Sequence, residues 1–266
     1  MNGPASDDRR ARTGTIALVL GAMSALALLA AVATAAVLAL GEDDAVATDG
    51  SERPPSPKVP DPGFPGGQTI YGDRMQNIAI EVPAVDVGWT LLAPGQGTYF
   101  AGKDNDGDGV GDGDTAVTDG QAAIYQLNWC EPEEEFEQPY LASIGIESMT
   151  DNEDEDLRTA NETVAKVWAD EAAYQDDGVH TNKHSDIATE SFELDDGTEA
   201  FVSRSVITVA SADRKKCDAP QHEVSVLTLD AGEHLVSVVL SRDLGLDGSL
   251  SHDQAVELLR AVHVLK

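Results

Sequence analysis

Residues 15–40 form an uncharged run rich in alanine and leucine, which constrains the fold more than any other feature of the chain. A helix of this length would reach roughly 39 Å, more than the hydrocarbon core of a bilayer, which is about 30 Å thick. The sequence therefore predicts a short head at 1–14 and one transmembrane helix at 15–40, with the rest of the chain on the far side of the membrane.

The charges that flank this run predict its orientation. Arg9, Arg10 and Arg12 precede it, and the first charged residues after it are acidic. Because positively charged flanks stay in the cytoplasm, we expect a cytoplasmic N-terminus and a C-terminal domain outside the cell membrane. A cleaved signal peptide is the alternative, since the small residues at 33–35 resemble a cleavage site. The apolar region of a signal peptide usually has only about 7–15 residues, which favours an uncleaved signal-anchor.

A proline-rich segment separates the predicted span from a domain. Six prolines lie between residues 41 and 66, among acidic and small residues. A segment of this composition cannot bury a core, so we expect a disordered and partly extended linker at 41–66. Residues 67–266 are long enough for one domain with its own core, and we expect that domain to be extracytoplasmic.

The chain is strongly acidic. It has 48 Asp and Glu against 17 Lys and Arg, a formal net charge of −31, and only eight of the acids precede residue 67. A surface of this charge repels phosphate backbones, so we expect no nucleic-acid partner. The charge favours a cation or a basic envelope protein as partner. The alternative is that the acids only keep the surface hydrated in a saline medium.

Alternation of apolar and polar residues predicts strands along the domain. They lie at 75–82, 87–92, 97–101 and 121–129, with 140–149 as strand or ordered loop, and then at 190–194, 199–210, 224–229 and 235–240. The strands at 97–101 and 121–129 flank an acidic, glycine-rich loop as a hairpin. The last two strands form another hairpin across Asp230-Ala231-Gly232.

Two segments have the periodicity of a helix. Apolar residues recur mostly at steps of three and four from Leu157 to Ala172, which predicts a helix of about 16–18 residues. Ser251 and Gln254 have the spacing of a capping box, and the helix that they begin would bury Val256, Leu259 and Val262. Strands combined with two such helices indicate an α+β fold in which the helices cover an antiparallel sheet.

Four features of the domain combine into a resemblance. They are Gly88-Trp89 in an early strand, Cys130, a helix with Ala160, Ala165, Trp168 and Ala169, and Cys217-Asp218-Ala219-Pro220 before a closing hairpin and helix. Together they resemble an uncharacterised family of actinobacterial membrane-anchored ectodomains. The resemblance covers residues 67–266 and implies a PsbP-like fold behind one N-terminal span and a proline-rich linker. It implies no activity.

Cys130 and Cys217 are the two cysteines of the chain, and both follow the predicted span. An even number of cysteines in an oxidising compartment predicts one disulfide. A free thiol or a metal-binding pair is the alternative, although neither cysteine lies in a CxxC motif.

The strongest local motif is the acidic loop at 104–112, which has the form D-x-D-x-D-G-x-x-D. It resembles thrombospondin type 3 repeats and the loops of dockerins and EF-hands. The resemblance implies a Ca²⁺ site whose ligands are Asp104, Asp106, Asp108, the carbonyl of Val110, and Asp112 directly or through water. The loop departs from an EF-hand at its twelfth residue, Thr115, where that family has glutamate. A solvated acidic hairpin tip is the alternative.

No catalytic set stands out from the sequence. The six histidines are scattered, and no serine lies in a nucleophile-elbow motif. We therefore expect a membrane-anchored binding or sensing domain of unknown ligand, and no enzyme. The alternative is an extracytoplasmic hydrolase that acts on cell-wall material. A concave pocket with converging carboxylates would favour the hydrolase, whereas a filled core with a flat patch would favour the binding domain.

Overall fold

The computed structural model describes residues 64–72, 76–100, 102–105, 107, 116–132, 138–148, 156–175, 178–211, 214–232 and 234–265. The predicted head, the predicted span and most of the predicted linker lie outside these residues and stay predictions. Among the residues that are described, no helix has the length and apolar character needed to cross a membrane.

Two runs of five strands, each followed by an α-helix, make up this part of the chain, with one short strand at the end, in an order that the sequence largely predicts. They are β1 (Gln68–Tyr71), β2 (Ile78–Val82), a 3-10 helix (Val85–Val87), β3 (Trp89–Leu91), β4 (Asp119–Tyr125), β5 (Ala142–Ser148), α1 (Leu157–Ala173), β6 (Lys183–His184), β7 (Ala188–Glu193), β8 (Glu199–Thr208), β9 (Gln221–Asp230), β10 (Leu235–Leu244), α2 (His252–Arg260) and β11 (Val262–Val264). The predicted α+β class, with antiparallel strands and two helices, is confirmed.

The strands form two antiparallel sheets. The larger sheet has the order β3-β4-β5-β10-β9-β8-β6, with β7 also paired to β8, and the smaller sheet has the order β1-β2-β11. Because side chains alternate across a strand, β9 presents Val224 and Val226 to one face and Leu227 and Leu229 to the other. Helix α1 packs on the first face. Helix α2 and the smaller sheet pack on the second face, which holds the larger core.

A buried asparagine ties helix α1 to the larger sheet. Nδ2 of Asn161 donates to the Val226 carbonyl at 2.9 Å and to Oγ1 of Thr228 at 3.0 Å. Oγ of Ser203 donates to Oδ1 of Asn161 at 2.6 Å. Since these bonds satisfy the amide inside the core, the helix is held in one position along β8 and β9. The C-terminal end of α1 is thereby placed beside the end of the sheet where β9 begins.

Helix caps follow the local chemistry of the sequence. Ser251 and Gln254 form the predicted capping box at the start of α2. Asp156 caps α1 by accepting the Thr159 amide at 3.1 Å. The hydroxyl of Thr159 also bonds this carboxylate, and these bonds lower the pKa of Asp156.

Several element boundaries differ from those predicted. The expected strand at 97–101 is reduced to a single bridge between Tyr99 and Val117, because the Thr98 amide donates to the Thr118 hydroxyl instead of a strand carbonyl. The expected strand at 121–129 ends at Tyr125, since Gln126 and Asn128 adopt positive φ angles of 54° and 60°. Helix α2 buries Ala255, Leu258 and Leu259, whereas Val262 belongs to β11.

Candidate functional site

An open cleft lies on the α1 side of the larger sheet, at the end where β9 begins and β10 ends. Its volume is about 630 Å³, which is within the range of about 300–1,000 Å³ that is typical of small-molecule sites. The C-terminal end of α1 forms one wall, and the loop between β8 and β9 forms another. The lining includes Phe100, Tyr140, Tyr174, Asn182, His222 and Asp243.

His222 and Asp243 form a polar pair in the wall of this cleft. They face each other across the β9–β10 hairpin, and Nδ1 of His222 lies 2.9 Å from Oδ1 of Asp243. A carboxylate can only accept, so Nδ1 carries the proton and donates it to Asp243. Nε2 of His222 is buried and has no hydrogen-bond partner among the described residues. In the neutral ring, Nε2 is therefore an unused acceptor.

Aromatic rings surround this pair. The Phe100 ring meets the His222 ring edge to face, with the centroids 5.3 Å apart, and also meets Trp168 of α1 at 5.7 Å. The His222 ring is thus held by Asp243 at one edge and by Phe100 beside it. A ring held from two sides presents its second nitrogen in one orientation.

Tyr140 adds a second polar group to the cleft. Burial raises the pKa of its phenol above the usual range. A hydrogen bond from Ser143 acts in the opposite direction, while the negative charge of Asp243 raises the pKa further. The phenol therefore stays protonated at neutral pH, where it can both donate and accept a hydrogen bond.

The charged residues of the cleft already have partners. Asp243 accepts from His222, as described above, and Asp218 accepts the Lys215 amide at 2.7 Å. Lys215 takes part in at least one further interaction. The two carboxylates of the described lining, Asp218 and Asp243, thus each bond a group of the protein itself. A hydrolase of glycosidic bonds needs two carboxylates that act on its substrate.

A disulfide lies beside the cleft. Cys130 and Cys217 form a disulfide in the folded domain, and Cys217 lines the cleft itself. The bond connects the segment after β4 with the loop between β8 and β9. The pairing that the cysteine count predicts therefore also supports the wall of the cleft to which Cys217 belongs.

The predicted calcium loop is described only at its beginning. Oδ1 of Asp104 accepts the Gly107 amide at 2.5 Å, and the Asp104 amide donates to the Gly178 carbonyl at 3.0 Å. Asp106, Asp108, Val110 and Asp112 lie outside the described residues. No cluster of metal-binding side chains is found where side chains are described, and the Ca²⁺ site stays a prediction.

The base of this loop is fixed to helix α1. The Lys103 amide donates to Oε2 of Glu171 at 3.1 Å. A Cβ atom at Gly102, whose φ is +66°, would clash with the same oxygen. The flexible Glu171 side chain could move aside, so it is the positive φ that favours a glycine where the chain passes the helix, two residues after Phe100.

The sequence did not single out His222 or Asp243 as site residues. One signal could have found them, because the turn at 230–232 sets the register of the hairpin. Leu235 lies opposite Asp230, and the same register places Asp243 opposite His222 and Arg242 opposite Glu223. Within each pair, a basic and an acidic side chain lie next to each other on the same face of the sheet. Such pairs of opposite charge are common between neighbouring strands.

Comparisons with known proteins identify a family for most of the chain. Residues 60–266 match the model of a family described as Domain of unknown function (DUF8017). A solved structure of a point mutant of the protein Mog1 is similar over 75% of this chain and 96% of its own, with 12% identity and a TM-score of 0.34. No curated protein matches the sequence.

Proposed function

The chain belongs to this family of unknown function, and we propose from its cleft that it is a binding domain for a small polar ligand. The observation that carries the proposal is the buried Nε2 of His222, which is oriented by Asp243 and lacks a described partner. A buried polar atom without a partner is costly unless a ligand or water satisfies it. The surrounding cleft has the size and the mixed lining of a ligand site.

Binding can be tested without knowing the ligand. The full-length chain in detergent, labelled with ¹⁵N-histidine, would be titrated with a library of small neutral, cationic and anionic compounds. We expect some compounds to shift the Nε2 resonance of His222. His252 is the internal control, because it is exposed at the start of α2, away from the cleft lining. If no compound shifts His222 more than His252, the cleft is not a ligand site.

The His222–Asp243 pair also supports the second candidate, a hydrolase. A histidine oriented by a carboxylate is the arrangement of a general base. However, the described residues that line the cleft include no serine or threonine, and Cys217 is tied up in the disulfide. Because those residues include no serine, threonine or free cysteine, the described geometry supports binding better than hydrolysis through a covalent intermediate on such a residue.

We also propose that the domain is held outside the cell by the span at 15–40, with a cytoplasmic N-terminus, as the resemblance to membrane-anchored actinobacterial ectodomains implies. The support is the uncharged run and the arginines before it. Protease added to intact cells should remove the chain beyond residue 41 and leave a membrane-bound stub. A mature protein that begins near Ala36 would show cleavage instead of anchoring.

Finally, we propose that the loop at 104–112 binds Ca²⁺ through Asp104, Asp106, Asp108, Val110 and Asp112. The spacing of the acids supports this, and the turn at Asp104 brings the chain back within three residues. Extracellular calcium modules bind at about 0.1–1 mM. At about 1 mM Ca²⁺ the free energy of unfolding should therefore rise by only roughly 0.4–1.4 kcal/mol.

Calorimetric titration of the full-length chain tests the calcium loop. We compare it with a double variant, Asp106→Ala with Asp108→Ala, and with a matched control, Asp195→Ala with Asp196→Ala, in the exposed turn between β7 and β8. We expect the loop variant alone to lose the binding heat. Equal heats for all three proteins would mean that the loop is only an acidic turn.

A further inference from the structure

Strand β7 lies at an outer edge of the larger sheet. It pairs with β8 along its whole length, and no other strand in the described part of the chain pairs with it. Four of its six residues are exposed, namely Ala188, Glu190, Ser191 and Glu193. A strand in this position presents one row of backbone N–H and C=O groups to its surroundings, and such a row can pair with another strand.

The turn after β7 shows which residues form this row. Leu194 bonds towards β8, since its amide donates to the Thr198 carbonyl at 3.0 Å. The backbone groups of successive residues in a strand point to opposite sides. The N–H and C=O groups of Thr189, Ser191 and Glu193 therefore point away from β8. No backbone group elsewhere in the described residues bonds this row, so it is open to an added strand.

Helix α1 borders the same edge and forms a groove with it. Thr189 faces the helix side of the sheet, because its hydroxyl lies 2.6 Å from the Ser203 hydroxyl, which bonds Asn161 of α1. The groove has a volume of about 320 Å³, and its lining consists of Arg158, Glu162, Lys166, Ile187 and Thr189. A strand added beside β7 would point every second side chain to the helix side, where this groove lies.

The charge of this edge indicates the chemistry of the added strand. Between residues 185 and 203 the chain has six acidic residues and no lysine or arginine. All six are exposed, namely Asp186, Glu190, Glu193, Asp195, Asp196 and Glu199. Arg204 of β8 pairs with Glu190, but Glu193 lies directly opposite Glu199. Because like charges in such a pair destabilise it, a basic side chain beside Glu193 would be favourable.

Charge and proline content argue against two other occupants. A second copy of this chain would bring an identical acidic strand against β7, and each copy has a formal net charge of −31. The chain's own segment at 53–65 has six prolines, which lack the N–H that strand pairing needs. An extended basic segment of a different protein has neither disadvantage.

We propose that the outer edge of β7 binds an extended, lysine- or arginine-rich segment of a partner protein, which adds a strand to the larger sheet. Thr189, Ser191 and Glu193 bond the backbone of that segment, and the two glutamates of β7 attract its basic side chains. Backbone bonds supply affinity in this mode, and side chains select the partner. The groove shares no described lining residue with the cleft, so this surface is separate from the proposed ligand site.

Fluorescence anisotropy with the full-length chain in a non-ionic detergent tests the docking. The probe is a labelled peptide, Lys-Val-Thr-Val-Lys-Val-Thr-Lys. One control peptide has proline in place of each valine, which keeps the charge but prevents strand pairing. The other has glutamate in place of each lysine. We expect the probe to bind and both controls to bind more weakly by about tenfold or more.

Variants of β7 connect that binding to its outer edge. Ser191→Pro removes an N–H of the outward row without removing a bond to β8, a position where edge strands tolerate proline. It should weaken binding about tenfold or more. Ser191→Ala keeps the N–H and should bind as the wild type does.

A second pair of variants tests the charge. Glu190→Gln with Glu193→Gln should weaken binding of the lysine peptide about threefold to tenfold. The matched control, Asp253→Asn with Glu257→Gln, makes the same change of net charge at exposed positions of α2. It should leave binding unchanged, because these residues lie on a different element.

Amide hydrogen exchange, followed by NMR on the wild-type chain, gives a readout that charge attraction alone does not. With the lysine peptide bound, exchange at Thr189, Ser191 and Glu193 should slow, because each amide gains a backbone acceptor. The amides between them already bond β8 and should change less. This alternation does not depend on any variant, so it tests the docking even if Ser191→Pro folds poorly.

Several results would overturn the proposal. Equal binding of the lysine peptide and its proline analogue would mean attraction without strand pairing. Wild-type affinity in Ser191→Pro, or unchanged exchange at the three outward amides, would place the peptide elsewhere. Tighter binding of the glutamate peptide would exclude a basic partner. If no peptide binds, the acids of β7 serve only to keep an exposed edge from aggregating.

Discussion

Replacing Arg242 by leucine should lower the free energy of unfolding by about 3–5 kcal/mol, because the change leaves Glu223 as a buried charge without its partner. Nε of Arg242 donates to Oε1 of Glu223 at 2.8 Å, with the two side chains only 5% and 9% exposed. Nη1 also donates to the Leu250 carbonyl at 2.6 Å, just before helix α2 begins. The loss should appear as a lower midpoint in urea unfolding of the full-length chain.

Two further variants test whether the loss of stability comes from the burial of this pair and not from the loss of an arginine–glutamate pair as such. Arg204 also pairs with a glutamate on the same sheet, but Glu190 is 61% exposed, so Arg204→Leu should cost less than about 1 kcal/mol. The double variant Arg242→Leu with Glu223→Leu should recover most of the loss, since no lone charge remains. Equal losses for Arg204→Leu and Arg242→Leu would contradict this account.

The elements that the sequence predicts well are those with local causes. Helix α1 follows from the recurrence of apolar residues between Leu157 and Ala172, and the structure begins it at Leu157 and ends it at Ala173. The start of α2 follows from the capping pair Ser251 and Gln254. Such features depend on residues within one or two turns of one another, so a single sequence contains them completely.

The sequence predicts the smaller sheet only in part, because β1 and β11 are short and the pairing of β11 is distant in the chain. Strands β1 and β11 have only four and three residues, which is too short for alternation to distinguish them from loop. Strand β11 pairs with β2 from the other end of the domain. The helical periodicity therefore predicts Val262 on the inner face of α2, although it lies opposite Ile80 in this sheet.

The candidate site escaped the sequence analysis because polar residues interrupted the strand pattern. The predicted strands of the last hairpin stop at Leu229 and Leu240 and begin at Val224 and Leu235. The structure extends β9 back to Gln221 and β10 on to Leu244. His222, Glu223, Arg242 and Asp243 fall in these extensions, where paired polar groups replace apolar ones. The rest of the cleft comes from segments that only the folded chain brings together.

Removing the disulfide has the second large expected effect. The double variant Cys130→Ser with Cys217→Ser should lower the free energy of unfolding by about 2–5 kcal/mol, since the bond closes a long loop in the unfolded chain. The two cysteines are separated by 87 residues, and their Cα atoms lie 5.8 Å apart in the folded domain. Urea unfolding of the full-length chain, compared with the same chain under a thiol reductant, measures the difference.

The same variant tests whether the bond supports the cleft as well as the fold. Cys217 lies in the cleft wall, so loss of the bond should broaden the His222 imidazole resonance while that of His252 stays unchanged. The matched control is Glu131→Gln, which breaks only the exposed pair between Glu131 and Lys216, 3.9 Å apart on the same two segments. We expect no measurable change from that control, because exposed ion pairs contribute little.

If the serine variant unfolds at the wild-type urea concentration, the two sulfurs are not bonded in the native protein. If its stability falls but His222 is unaffected, the bond holds the chain together without shaping the cleft.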